Sequence, residues 1–198
     1  MNKIKIFEQI KESPTGLFNS LIGKRLEMLR STAIDNLKNA NFDAYGRLLL
    51  VLESEEVLEF KTTTRLIINV EYNITEIQKA DPIENIDELK EYIISQPFFL
   101  KKVLIYGETV TFVDTYGDFA YERLKDKSVD KENIICINTE DIIVFESNSH
   151  QKFMLRTLQS PYFEAIFEED RIKDIIENWS SLYLIKKEVR YKLKRVIE

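Results

Sequence analysis

The hydrophobic pattern of residues 45–72 predicts three consecutive β-strands. The run LLLVL at 48–52 is apolar on both faces of an extended chain, which is typical of an interior strand. Apolar residues resume at 57–60 after the polar stretch ESEE, whose residues 54–55 we expect at the tip of a tight turn. Along 66–72, LIINVEY, alternate positions are apolar, which indicates a half-buried strand. We expect the fold to be organised around this antiparallel meander.

Two later stretches resemble the first hairpin, VLESEEVLEF. Residues 103–112 are VLIYGETVTF and residues 135–145 are ICINTEDIIVF, with turn residues near the middle of each. Each stretch therefore predicts a further antiparallel hairpin, and residues 151–158 predict one more strand. Unequal spacing argues against a solenoid or a propeller. Eight apolar side chains are predicted to be buried: Leu50, Val51, Phe60, Ile68, Leu104, Phe112, Ile135 and Val144.

Apolar residues at helical spacing predict helices at both ends of the chain. Near the N-terminus they occur in Lys3–Glu12 and again in residues 17–22, where Gly23 can end the second helix. After the last proline, an apolar period runs through residues 172–196 and predicts one long helix or two helices. Alternation at residues 189–193 also fits a strand, so that alternative stays open.

Two internal stretches complete the secondary-structure prediction. Residues 25–34 fit both a strand and a helix, and we favour a strand because the apolar positions also alternate. Residues 86–95, IDELKEYIIS, predict a helix with Asn85 or Asp87 as its N-cap.

The combined pattern predicts an α+β fold. A mainly antiparallel sheet of successive hairpins is expected to be covered by N-terminal and C-terminal helices, because the apolar faces of helices and sheet must cover one another. At this length we expect a single domain over residues 1–198, with residues 160–198 as a helical appendage in the alternative arrangement.

Composition excludes several classes of protein. The chain has 28 Lys and Arg residues against 34 Asp and Glu residues, and its formal net charge is −6. This balance argues against a general nucleic-acid binder, because phosphate contacts need clustered cations. One cysteine excludes an internal disulfide, and neither a signal-peptide core nor an apolar run of membrane-spanning length is present. We therefore expect a cytoplasmic protein with no membrane partner, from an AT-rich bacterial genome by its abundance of Ile, Lys, Glu and Asn.

The segment DTYGD is the candidate metal site. Asp114 and Asp118 flank a glycine, and Glu122 is a third carboxylate, so the three could supply oxygen ligands to a hard cation. The alternating ligand pattern of a calcium-binding loop is missing, and Asp and Gly are ordinary turn residues. We therefore favour a plain turn and expect no cofactor.

Recognised catalytic motifs are absent from the sequence. It contains no Walker loop, no GxGxxG, no HExxH and no pair of CxxC motifs. His150 is the single histidine, and without a nucleophile motif beside it we expect a surface residue with no catalytic role. Cys136 lies in an apolar run and is expected to be a small buried hydrophobe, because a reactive thiol needs an electropositive setting. These observations argue against an enzyme.

Two charged clusters and three aromatic residues distinguish the C-terminal region. Carboxylates cluster in residues 164–174, where they suit the N-terminus of a helix. Cations cluster in residues 186–195, which fits either a basic amphipathic helix that binds a membrane or a partner, or a solvated face, and we favour the solvated face. Trp179, Tyr183 and Tyr191 are the candidate binding residues, since aromatic side chains are enriched at interfaces.

Three functional hypotheses are consistent with these observations. The first is a non-catalytic protein-binding module of the inhibitor or toxin-immunity type, because an acidic protein can mask a basic target by charge complementarity. The second is a metal-dependent or carboxylate-based hydrolase that uses the candidate metal site. The third is a structural, self-associating protein whose C-terminal apolar stripe is buried in a symmetric homodimer.

Overall fold

Strands dominate the fold. A computed structural model describes residues 3–6, 10–13, 15–38, 41–67, 70–80, 89–113, 134–138, 140–159, 162–178 and 191–198. The strands in these residues are β1 (Lys3–Ile6), β2 (Ile10–Ser13), β3 (Arg25–Lys38), β4 (Asn41–Leu52), β5 (Val57–Ile67), β6 (Val70–Ala80), β7 (Lys90–Gly107), β8 (Thr109–Val113), β9 (Ile134–Asn138), β10 (Ile142–Ser147), β11 (Lys152–Gln159), β12 (Tyr162–Ile166) and β13 (Lys192–Ile197). A 3₁₀ helix spans Phe18–Leu21, and an α-helix, α1, spans Glu169–Asn178.

The strands form one large mixed sheet and one small sheet. The large sheet has the order β12-β11-β10-β7-β3-β4-β5-β6-β2, and β13 adds to β7. Its pairings are antiparallel except that of β2 with β6. The small sheet has the order β1-β9-β8, in which β1 and β9 are parallel.

Six strands of the large sheet close into a ring. β12 pairs with β11 on one side and with residues 42–45 of β4 on the other, while residues 48–51 of β4 pair with β5. The ring therefore runs β3-β4-β12-β11-β10-β7 and returns to β3. Closure removes the open edges that a flat sheet of these strands would have.

Aromatic side chains fill the main hydrophobic core. The ring of Phe145 stacks on that of Phe153 with centroids 4.6 Å apart, and Phe153 stacks on Phe167 at 5.1 Å. Phe18 of the 3₁₀ helix meets the edge of Phe145. Burying each such side chain contributes about 1.5–3 kcal/mol, so this cluster is a large part of what holds the curled sheet together.

A second core lies on the other face of β10. Ile143 and Phe145 belong to the main core, while Ile142 and Val144 pack with Ile172 and the rest of the apolar face of α1. Every residue of β10 is consequently buried. This double burial explains the continuous apolar run in its sequence, which is typical of a strand covered on both faces.

The predicted α+β class is wrong, because helices do not cover the sheet from both ends. The structure is mostly β, with a single α-helix among its described residues. Lys3–Glu12 contributes the two short strands β1 and β2 instead of a helix. At the C-terminus, α1 matches the start of the predicted helix, but residues 192–197 form β13, which is the strand alternative.

The helix predicted for residues 86–95 is also wrong. β7 begins at Lys90, and from there it pairs with β3. Within it Tyr92 and Ile94 pack against the main core while Ile93 is 65% exposed. That alternation belongs to a strand, so tertiary pairing has overridden the helical propensity of this segment.

Two of the three predicted hairpins do not form. Residues 103–107 of β7 pair with β10 on one edge and with β13 on the other, so β8 has no edge of β7 to fold back on. β10 likewise lies between β7 and β11, which excludes β9. β8 and β9 instead pair with each other in the small sheet.

The antiparallel meander predicted from residues 45–72 is confirmed as three successive strands, but its third strand is misplaced, because residues 66–67 end β5 and β6 begins at Val70. β4, β5 and β6 are successive antiparallel neighbours, and Glu55 takes a left-handed φ of 59° in the loop between the first two. The strand over residues 25–34 and the strand β11 are confirmed as well. The predicted second helix is present as the 3₁₀ turn, after which Gly23 has a φ of 84°, a value that favours glycine.

Four of the eight predicted core residues are confirmed and one is half-buried. Leu50, Val51, Phe60 and Val144 are buried, and Leu104 is half-buried. The remaining predictions concern Ile68 and the side chains of Phe112 and Ile135, which lie outside the described part of the structure. The single-domain assignment stays a prediction.

Candidate protein-binding site

The strand register brings apolar side chains from four neighbouring strands into two rows on one face of the large sheet. The strands lie in the order β13-β7-β10-β11. Residues directly opposite each other in a ladder share a face, so each row follows from the pairing. The first row is Val196, Leu104, Val144 and Met154, and the second is Leu193, Tyr106 and Ile142, which ends at the charged Arg156 on β11.

Helix α1 packs on the half of these rows that lies on β10 and β11, and the β7 residues of the rows are half-buried beside it. Its residues Ile172 and Ile175 pack there in the second core. On the open half, Leu193 and Val196 are each 49% exposed. Large apolar side chains grouped on a surface mark sites of interaction more often than scattered ones do.

A groove of 290 Å³ runs between α1 and the sheet, next to the open half of the rows. Its floor consists of Leu104, Tyr106 and Val144, and the wall formed by α1 contributes both apolar and charged side chains. Pockets for small molecules usually measure about 300–1,000 Å³. The volume therefore suits a few side chains of a protein partner better than a large cofactor.

The helical wall of the groove is acidic. Glu169 and Glu177 line the groove together with Lys173, and Asp170 is exposed beside them. Arg171 pairs with Asp174 at 3.2 Å on the same helix. Carboxylates in the first turn of α1 also stabilise the positive end of the helix dipole. The same side chains can therefore stabilise the helix and form an acidic surface.

Lys152, which lines the groove, belongs to an ion cluster around Glu146. Lys152 lies 3.7 Å from this carboxylate, Lys102 lies 3.7 Å from it, and His150 lies 3.4 Å from it. The His150 side chain is largely exposed, and its backbone has a φ of 64°. Its surface location is confirmed, and the absence of a catalytic role stays a prediction.

Tyr191 is placed in the second core instead of on the surface. Its hydroxyl donates a hydrogen bond to Oδ2 of Asp141 at 3.3 Å. Burial raises the pKa of Tyr191, and the carboxylates of Asp141 and Glu108 raise it further, against a smaller opposing effect of Arg156. The hydroxyl therefore stays protonated and serves as a donor inside the protein.

The other candidate binding residues, Trp179 and Tyr183, lie outside the described residues, so the aromatic interface stays a prediction. Sequence reasoning placed Leu193 and Val196 on the apolar stripe of a helix and missed their exposure on a strand. Their spacing of three residues fits a helix, whereas here the register shift between Leu193 and Arg195 puts both on one face of β13. A bulge of this kind leaves no distinct sequence signal.

A buried carboxylate elsewhere has a structural explanation. Glu59 is buried on β5, where Arg47 contacts it, Lys61 lies 3.0 Å away and Gln78 donates a hydrogen bond at 2.8 Å. Burial raises the pKa of Glu59, but the hydrogen bonds from Gln78 and Lys61 and the charge of Arg47 outweigh it and lower the pKa. A carboxylate held in its ionised form by three partners is a poor general base.

The predicted metal ligands Asp114, Asp118 and Glu122 fall outside the part of the chain that the structure describes. Within that part, no group of three or more His, Cys, Asp or Glu side chains is arranged to hold a metal ion. The side chain of Cys136 is likewise outside it. The metal site and the buried cysteine therefore stay predictions.

Comparison with known proteins gives no relative for this chain. No protein family, no curated protein and no solved structure matches it. Among the residues with described positions, no helix has the length and apolar character needed to span a bilayer. The groove and the surfaces around it are therefore the features of the molecule that bear on its function.

Proposed function

We propose that this protein is a non-catalytic protein-binding module of the inhibitor or toxin-immunity type, acting in the cytoplasm. The observation that carries the proposal is the open half of the two apolar rows, where Leu193 and Val196 are exposed beside a groove that α1 does not fill. Desolvating such side chains favours association, and a groove beside them gives a partner's side chain a place to anchor.

The partner on this proposal is a protein with a basic surface and a protruding apolar side chain. The net charge of −6 and the exposed carboxylates of α1 support this choice, because opposite charges accelerate the encounter and fix its orientation. The apolar side chain would enter the groove, while the surrounding cations would face Glu169 and Glu177.

A pull-down from the organism's own lysate with two matched double variants tests the proposal. Leu193→Asp/Val196→Asp places two charges on the open rows, and Ile93→Asp/Phe99→Asp places two on other exposed apolar residues. We expect the wild type and the second variant to recover the same stoichiometric basic protein and the first variant to lose it. Equal recovery by both variants, or an acidic partner, would contradict the proposal, provided that thermal melts show both variants folded.

Self-association is the second candidate, and one specific observation favours it. The open rows border the basic strand β13, with Lys192 and Lys194, whereas α1 across the groove is acidic. In a two-fold dimer, α1 of one copy could face β13 of the other. Sedimentation equilibrium of the wild type and of Leu193→Asp/Val196→Asp distinguishes the candidates, because only a homodimer predicts a mass that falls to the monomer value in the variant.

A further inference from the structure

Arg195 connects β13 near the end of the chain to β2 near its start. It lies on β13, between Leu193 and Val196 in sequence, and its guanidinium reaches β2. Nη2 of Arg195 donates to the carbonyl oxygen of Ile10 at 3.0 Å and to Glu140 at 3.1 Å. Nη1 lies 3.6 Å from the carboxylate of Glu12, and Nε lies 3.0 Å from Glu140.

The strand held by Arg195 is short and lies at the edge of the large sheet. β2 has four residues and pairs in parallel with residues 75–78 of β6. Its contacts besides this pairing include the side chain of Ile10 in the main core and a hydrogen bond of 2.7 Å from the N–H of Phe18 to Glu12. Four residues of parallel pairing give few ladder bonds, so the hydrogen bond from Arg195 to Ile10 and its charge near Glu12 add to a weakly held strand.

The Arg195 contacts are stronger than ordinary surface ion pairs. Glu12 and Glu140 are largely buried, and the guanidinium donates to both Glu140 and a backbone carbonyl. Hydrogen bonds from a charged donor in a partly buried site are about twice as strong as neutral ones. Detaching β13 would therefore withdraw the donor from β2 and leave Glu12 and Glu140 without its charge.

We propose that Arg195 makes β2 and β13 one interdependent unit, so that β2 is held more weakly on the edge of β6 when β13 leaves β7. The coupling is reciprocal, because each strand stabilises the other through the same contacts. It also connects the exposed residues of β13 to β2: a partner that stabilises β13 at Leu193 and Val196 strengthens the cover over β6. This last consequence rests on the proposed function, whereas the coupling itself does not.

Hydrogen exchange of the isolated chain, followed by mass spectrometry, tests the coupling without any partner. Arg195→Gln removes the charge and keeps a donor, and Arg171→Gln, which breaks the exposed pair on α1, is the matched control. We expect Arg195→Gln to accelerate amide exchange about tenfold or more in residues 10–13 and 75–78, the effect of losing one hydrogen bond to a charged group. Amides of β10 and β11 should change much less.

A second variant keeps the test decisive if Arg195→Gln does not fold. Glu12→Gln removes a charge from β2 and can still accept the hydrogen bond from Phe18. Reciprocity requires that it accelerate exchange in residues 192–197, on the opposite strand. The coupling would be overturned if exchange stayed unchanged in residues 10–13 of Arg195→Gln or in residues 192–197 of Glu12→Gln. It would also be overturned if the exchange rate rose equally throughout the sheet. Failure to capture a partner would bear on the proposed function alone.

Discussion

The hydroxyl oxygens of Thr75 and Thr157 lie 2.9 Å apart in the interior, although their strands β6 and β11 are not neighbours in the sheet. Both residues are buried. Their hydrogen bond therefore ties the β5-β6 extension to the closed ring of six strands. Unlike the ladder bonds, it depends on two side chains and can be removed without altering the backbone.

Replacing either threonine with valine should lower the free energy of unfolding by about 1–3 kcal/mol, because the remaining hydroxyl loses its buried partner. The variant Thr75→Val/Thr157→Val should lose less than the sum of the two single losses, since no orphaned hydroxyl remains. Urea denaturation of the four proteins in the cycle measures this coupling. Strictly additive losses would show that the two hydroxyls do not depend on each other.

The first strand of the meander, β4, should be far more sensitive to truncation than the loop that follows it. Leu50→Ala removes a fully buried side chain and should cost about 2–5 kcal/mol. Glu55→Ala, in the exposed loop after β4, should change the free energy of unfolding by no more than about 0.5 kcal/mol. Denaturant melts of the two variants check this contrast. If both variants changed the free energy of unfolding by similar amounts, the assignment of Leu50 to the core would be wrong.

Stability in acid should depend on Glu56. Hydrogen bonds from Lys24 and then Lys79 lower the pKa of Glu56, against a smaller opposing effect of burial. A carboxylate with a lowered folded-state pKa adds stability above its unfolded-state pKa, and this contribution disappears as pH falls through the folded-state value. The difference in unfolding free energy between wild type and Glu56→Gln should therefore be largest near neutral pH and vanish in strong acid.

A matched control for this pH dependence is Glu53→Gln. Glu53 pairs with Arg25 at 3.4 Å and its side chain is 57% exposed, so water screens the pair and the substitution should have little effect at any pH. Urea melts at several pH values compare the two variants. A gap between wild type and Glu56→Gln that stays constant from neutral pH to strong acid would contradict the assignment.

Divalent cations should leave the melting temperature unchanged. We favour a plain turn over a metal site at Asp114, Asp118 and Glu122, and a ligand that does not bind the native state cannot stabilise it. A thermal-shift series with millimolar calcium, magnesium, manganese and zinc measures this. A rise in the wild type that Asp114→Asn/Asp118→Asn abolishes would instead support the hydrolase hypothesis.

The meander was predictable because its strands pair with their neighbours in sequence. The apolar runs at residues 48–52 and 57–60 locate the first two strands, and a short loop sets the register between β4 and β5. The later hairpins look the same in sequence but fail, because β10 and β13 occupy the two edges of β7, and β7 and the following strand β11 occupy those of β10. Local pattern cannot report whether an edge is already taken.

The candidate site was harder to predict because its parts depend on register. Leu193 and Val196 are three residues apart, and without the bulge in β13 one of them would face the other side of the strand. Their exposure depends on how far α1 extends over the sheet, which the apolar period of residues 172–176 does not specify. The acidic character of α1, in contrast, is directly visible in the sequence.

The closed ring also determines when the protein can fold. Its last pairing joins residues 42–45 of β4 to β12, and beside that pairing the N–H of Phe167 donates to Asn41, 126 residues earlier in the chain. Contacts between such distant segments slow folding, because a long loop must close before any of them forms. During synthesis β4 leaves the ribosome long before β12 exists. Until then its edge at residues 42–45 is open to pairing with other chains, and we expect the nascent protein to aggregate unless that edge is shielded.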